Sequence, residues 1–212
     1  MAGDPWAFGW TQLLTILGLL LTTGIAVSGF HSFGRWKREK VEERRIETAL
    51  DALTLAYESR DVFNYIRGAM SYSFDYADMP QIPGDSEEAR NLRGSYFVVG
   101  KRVVEHRDFF DKAWKMQPRV MAVFGEEVES IFKRLHNARA MVQVASKTLA
   151  FEMPLNPIRE SLDDHNLRVQ MRNDLWDSGD GHDRVEIDLQ AFRNGIVRLC
   201  RPVVDHEFKP DK

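Results

Sequence analysis

Between Asp4 and Arg35 the chain carries no Asp, Glu, Lys or Arg, and the centre of that run, Leu13 to Val27, is dominated by Leu, Ile, Thr and Gly. The run exceeds the ~20 apolar residues that a helix needs to cross a bilayer. Trp6, Phe8 and Trp10 stand at one end and Phe30, Phe33 and Trp36 at the other, where amphipathic rings favour the headgroup layer. The pattern predicts a short extracytoplasmic N-terminus at residues 1–9 and a single transmembrane helix within residues 10–33, its span running from Trp10 to Phe30.

Beyond the span the period changes. Ile46, Ala49, Leu50, Leu53, Ala56 and Tyr57 recur at helical spacing in a stretch without Pro or Gly to Arg67, so the membrane helix is expected to continue into a stalk. Met79 to Asp85 holds two prolines and a glycine and is expected to end that helix. Asp85 with Glu88 offers a capping box for a second, along which Leu92, Tyr96, Val99, Val103, His106, Phe110 and Ala113 form a heptad seam. Pro118 is read as the break or as the first turn of a third helix running to Phe151, near 50 Å at 1.5 Å per residue. Its seam, Phe124, Val128, Ile131, Leu135, Ala138, Val142, Ala145 and Leu149, is the strongest periodic signal in the chain. Asn156 and Pro157 are expected to open a helix with a weaker face of Ile158, Leu162, Val169 and Trp176. Asp183 with Glu186 caps a last helix burying Val185, Leu189, Phe192, Ile196, Leu199 and Val203. No alternating run supports a strand. The predicted fold class is therefore all-α: a transmembrane helix, then a cytoplasmic bundle of four to five helices with its stalk at residues 34–204, and a C-terminal tail at 205–212.

Charge sets the expected orientation. Arg35, Lys37, Arg38, Lys40, Arg44 and Arg45 all follow the span, which by the positive-inside rule keeps the large domain in the cytoplasm and points the N-terminus out, as in a bacterial inner membrane. The first four of these cations also suit contact with anionic membrane lipid, at about 1 kcal/mol each. A cleaved signal peptide is the competing reading, because Ala26-Val27-Ser28 resembles a cleavage site; the segment lacks a basic leader, and the cations downstream oppose export. Thr11, Thr15, Gly18, Thr22, Ala26 and Gly29 place small residues along one face of the span, a candidate seam for a homo-oligomer.

Composition narrows the chemistry. With 29% charged and 43% hydrophobic residues in 212, the chain has the make-up of a folded protein, and its net charge of -3 gives no footprint for long duplex nucleic acid. The one cysteine, Cys200, excludes an internal disulfide and is read as a packing residue. No histidine follows a Glu by three residues, as a di-metal bundle requires, and zinc-protease, phosphate-loop and nucleophile-elbow patterns are absent, so no cofactor or metal is expected. Asp177, Asp180, Asp183 and Asp188 suggest calcium but fit no EF-hand register and read as a solvated acidic loop. His106 reads as a core histidine. Tyr57, Tyr65, Tyr72, Phe74 and Tyr76 gather near the end of the first helix, either as packing or as a pocket for a small ligand.

Two pairs, Arg159 with His165 and Arg201 with His206, resemble the motif of the HEPN ribonucleases, an all-helical family in which an Arg is followed at a short interval by a His. The resemblance implies an Arg that stabilises charge on the scissile phosphate and a His that acts as acid or base. Glu160 and Pro202 stand where that family usually has a polar residue after the Arg. The leading expectation is a membrane-tethered interaction or scaffold module without catalysis, self-associating or docking a cytoplasmic protein. The alternative is a membrane-anchored, HEPN-like RNase or toxin-type effector in stress or phage defence.

Overall fold

The computed structural model describes residues 5–153, 161–176 and 183–208. Among them the regular structure is all helical, with no strand: α1 (Pro5–Ile66), α2 (Glu87–Glu105), α3 (Arg107–Phe124), α4 (Glu127–Lys147), a π-helical segment (Thr148–Glu152), α5 (Leu162–Leu175) and α6 (Arg184–Phe208). The chain divides into two compact units, Met1–Glu47 and Thr48–Lys212.

In the first unit, α1 contains a stretch long and apolar enough to cross a membrane, and none of it is buried in protein. Two of its hydroxyls are satisfied within the helix. Thr22 Oγ1 donates to Gly18 O at 3.0 Å and Thr23 Oγ1 to Leu19 O at 2.7 Å, so neither carries an unmet donor into an apolar medium. Below this stretch the charges pair along the helix surface, Lys40 with Glu43 and Arg45 with Glu42.

In the second unit α4 is the element that the others pack against: α2, α3, α5, α6 and the π segment all contact it. The predicted seam explains why. Val128, Ile131, Leu135, Ala138, Val142, Ala145 and Leu149 are all buried, as is Phe132, which meets Phe192 of α6 edge to face at 5.4 Å. The α6 contact is close because residue 195 is glycine; a Cβ there would lie 2.9 Å from the Ile131 side chain. On α6, Val185, Leu189, Phe192, Ile196 and Cys200 turn inward, and Asp183 caps the helix as expected, its Oδ1 accepting from the Val185 and Glu186 amides.

Several boundaries differ from the sequence expectation, each for a local reason. α1 ends at Ile66, not near Met79–Asp85. Arg67 is drawn into the interior there, and the Ala69 and Met70 that follow Gly68 are exposed and do not continue the buried face. Leu50 and Tyr57 of the expected face are exposed, and Ala52, Leu55, Phe63 and Ile66 are buried instead. The cap of α2 is Ser86, which accepts from the Ala89 amide at 3.2 Å; Asp85 pairs instead with buried Arg93 at 3.0 Å. Of the α2–α3 seam, Leu92 is exposed, and His106, where the helix breaks, is only half-buried.

Pro118 neither breaks nor opens a helix; it lies inside α3. The break falls at Gly125, whose φ of 96° is open to glycine at little cost, and its amide closes α3 on Met121 O. The expected helix from Pro118 to Phe151 is thus shorter: α4 has 21 residues, about 32 Å, before it widens into the π segment. The expected start of the next helix, Asn156, Pro157 and Ile158, lies outside the described residues. α5 is capped by Ser161, and Leu162 and Val169 face outward while Leu175 is buried.

Leu135 is fully buried at the middle of α4, so Leu135→Ala is expected to lower stability by about 2–5 kcal/mol, as large-to-small core changes do. Thermal or urea melting of the domain reads this directly; Leu50→Ala, at an exposed position, serves as the near-neutral control.

Candidate functional site

The loop between α1 and α2 is held by cations from α2. Arg102 donates to Gly68 O at 2.6 Å and to Met70 O, and its guanidinium sits 5.4 Å from the centre of the Tyr65 ring. Lys101 donates to Asp75 O at 3.1 Å and to Asp78 Oδ1 at 3.0 Å, and that bond holds the Asp78 carboxyl below its usual value. Tyr76 seals the loop: it is buried, its hydroxyl donates to Asn91 Oδ1 at 2.9 Å, and its ring fills the place where a Cβ on Gly94 would stand.

Of the predicted aromatic cluster, Tyr76 is therefore packing, while Tyr57 stands exposed. Tyr65, Tyr72 and Phe74, with Met70, wall a cavity of about 500 Å³. Tyr72 and Phe74 stack at 5.4 Å and remain largely open to solvent, at 55% and 72%. His106 is half-buried beside this wall; its Nδ1 is 3.0 Å from Arg102 O and its ring packs on Tyr65 at 4.9 Å.

A second cavity, about 470 Å³, opens between α2 and α4 and shares Lys101 with the first. Its walls are Phe97, Val104, Val144 and Phe151. Val104 follows the buried seam position Val103 and Val144 precedes the buried Ala145, and both are exposed. This groove was not read from the sequence. The signal was present as apolar residues repeating at seven, Phe97 to Val104 and Val144 to Phe151, but the stronger inward seam masks it.

The remaining charged residues that sequence reasoning singled out are engaged or fall outside the described residues. Asp177, Asp180 and Arg159 lie outside them, as does the side chain of His206. Asp183 Oδ2 is 2.6 Å from the Arg67 guanidinium, and Asp188 accepts from Arg134 at 2.9 Å. His165 is exposed on α5. Arg201 donates to Asp205 Oδ1 at 3.0 Å along α6. Among the described residues no group of three or more His, Cys, Asp or Glu is gathered as metal ligands would be.

Arg67 and Arg93, both buried, gave no sequence signal at all. Arg67 Nε donates to Asp174 O at 3.1 Å and its NH2 to Asn173 O at 2.8 Å, capping the end of α5. The Asp174 carboxylate is in turn bound by Arg184, whose guanidinium is held above its usual value by that hydrogen bond. Arg93 donates to Ala150 O at 2.8 Å, taking up a carbonyl of the π segment.

His136 and Cys200 show the same effect of burial on ionisation. Burial, and after it the charge of Arg139, lowers His136, and burial pushes the Cys200 thiol up to about 11.

Two outcomes follow. Arg67→Ala leaves Asp183 buried without its cation and is expected to cost about 3–5 kcal/mol in a melt, more than any exposed pair would. Cys200, a neutral thiol in the core, is expected to resist a maleimide in the native protein at pH 7–8 and to react fully in denaturant. No protein-family model, curated protein or solved structure matches this chain.

Proposed function

We propose that this chain is a membrane-tethered helical interaction module: α1 anchors it in a bacterial inner membrane, the helical domain lies in the cytoplasm, and the protein self-associates or docks a protein partner there. The observation that carries this reading is the pair of adjacent cavities on α2, in whose walls the aromatic and aliphatic side chains of Tyr72, Phe74, Val104 and Val144 are exposed beside Lys101 and Arg102. Contiguous apolar surface that a domain leaves in water marks an interaction site more often than packing. The cations placed just after the apolar run of α1 support the orientation. Contact between those cations and anionic lipid fits the same arrangement. The small-residue face of the span, with Gly18 and Thr22 one turn apart, supports self-association, because small residues let two helix backbones approach closely. The ribonuclease reading draws no support from Arg201, which is bonded to Asp205.

Two measurements test the proposal. A reporter that works only in the cytoplasm, fused after Lys212, is expected to be active; activity from a periplasm-only reporter overturns the orientation. Replacing both Gly18 and Thr22 with Leu is expected to weaken association in detergent while leaving insertion intact, because Leu is favourable in the bilayer. A parent chain that remains monomeric at every concentration and captures no partner contradicts the module.

A further inference from the structure

A further cavity, about 430 Å³, opens in the helical domain between the end of α1 and the start of α6, and its walls differ from those of the two cavities on α2. Its apolar lining is Phe63 and Leu189, both buried, and the ring of Trp176, which packs on Tyr96 at 5.3 Å. Three polar side chains also line it: Asn64, Arg67 and Glu186.

Arg67 is only 6% exposed, and the fold uses two of its three guanidinium nitrogens. Nε and NH2 hold the carbonyls that end α5, and NH2 also meets Asp183. Among the described residues NH1 has no partner, and it is not shut off from solvent, so its N–H groups are the ones Arg67 offers to the cavity. Glu186 is arranged in the same way. Its Oε1 accepts from Arg193 at 2.6 Å and from Gln190 at 3.1 Å, while Oε2 has no partner among the described residues. The Asn64 carboxamide, at an exposed position of α1, is also uncommitted among them.

A spare cationic donor and a spare carboxylate oxygen in one small cavity restrict what can enter it. The two charges are already balanced from behind, Arg67 by Asp183 and Glu186 by Arg193, each at 2.6 Å. A purely anionic ligand would bring like charge against Glu186, and a purely cationic one against Arg67; both are disfavoured in a partly enclosed site. A zwitterion meets each group with the opposite charge. The volume suits a small molecule, since ligand pockets begin near ~300 Å³, and the apolar lining asks for an apolar body between the charged ends and the protein.

We propose that this cavity binds a free α-amino acid with an apolar side chain. Its carboxylate accepts from Arg67 NH1 and the Asn64 amide, its ammonium donates to Glu186 Oε2, and its side chain lies against Phe63, Trp176 and Leu189. None of these residues walls the cavities on α2, so the assignment stands or falls separately from the module reading.

The test titrates L-leucine and L-phenylalanine into the full chain in detergent, with binding read by calorimetry and by melting temperature. Saturable binding that raises the melting temperature is expected. N-acetyl-leucine and leucinamide each lack one of the two charges and are expected to bind at least about tenfold more weakly. Either of them binding as well as leucine identifies a peptide terminus as the occupant and overturns the assignment. Arg67 is left intact in the variants because the end of α5 depends on it. Glu186→Gln keeps an acceptor for Arg193, and Asn64→Leu lies at an exposed position. Both are expected to leave helicity and Cys200 protection unchanged while weakening leucine by about tenfold or more. Glu186→Gln is further expected to leave the weak binding of N-acetyl-leucine unchanged, because that ligand has no ammonium to lose. A parent chain that shows no saturable binding of either amino acid at millimolar concentration, or a Glu186→Gln variant that binds leucine like the parent, contradicts the proposal.

Discussion

The helical domain depends on keeping water away from one strip of α4. Positions from Val128 to Leu149 are shared among α2, α3, α5 and α6, so each of those helices buries its own apolar face largely by covering this one. Close packing makes the strip intolerant of gaps, because a buried aliphatic side chain contributes both its transfer from water and its contacts with every neighbour. Glycine at 195 and the edge-to-face pair of Phe132 with Phe192 show how tightly α6 is fitted to it.

Burying so many faces on one helix leaves helix ends inside the protein, and the buried arginines answer that constraint. Arg67 caps the end of α5 and contacts Asp183, which caps the start of α6; Arg93 takes a carbonyl of the π segment that terminates α4. Each guanidinium supplies several donors in a rigid fork, which suits clustered carbonyls better than a lysine would. These charges serve the fold. The surface left for other work mixes apolar and charged groups: the aromatic wall of Tyr65, Tyr72 and Phe74 beside Lys101 and Arg102, and the groove of Phe97, Val104, Val144 and Phe151 with Lys101 and Lys147.

Periodicity made the helical class, the apolar N-terminal run and the core strip of α4 legible, since an inward face must repeat at the helical period whatever its neighbours are. Helix ends were less legible. Pro118 carries the residue type of a break yet sits inside α3, while Gly125, an ordinary-looking glycine, ends it through a positive φ. The end of α1 depends on Arg67 finding carbonyls more than a hundred positions away, which no local window contains. The aromatic cluster was legible as residues, but its division into a buried plug, Tyr76, and an open wall, Tyr72 and Phe74, is set by contact with α2. The groove escaped notice because its residues lie one step off a stronger seam.

Native-state hydrogen exchange of the full chain in detergent, followed over a wide range of protein concentration, separates an intramolecular core from an interface most directly. Backbone amides from Val128 to Ala145 are expected to be the slowest in the helical domain, to open only with global unfolding, and to keep that protection on dilution. The loop from Gly68 to Asp85 is expected to exchange far sooner. If α4 instead loses protection as the protein is diluted, or exchanges as fast as α5, its strip is not the core that orders the other helices.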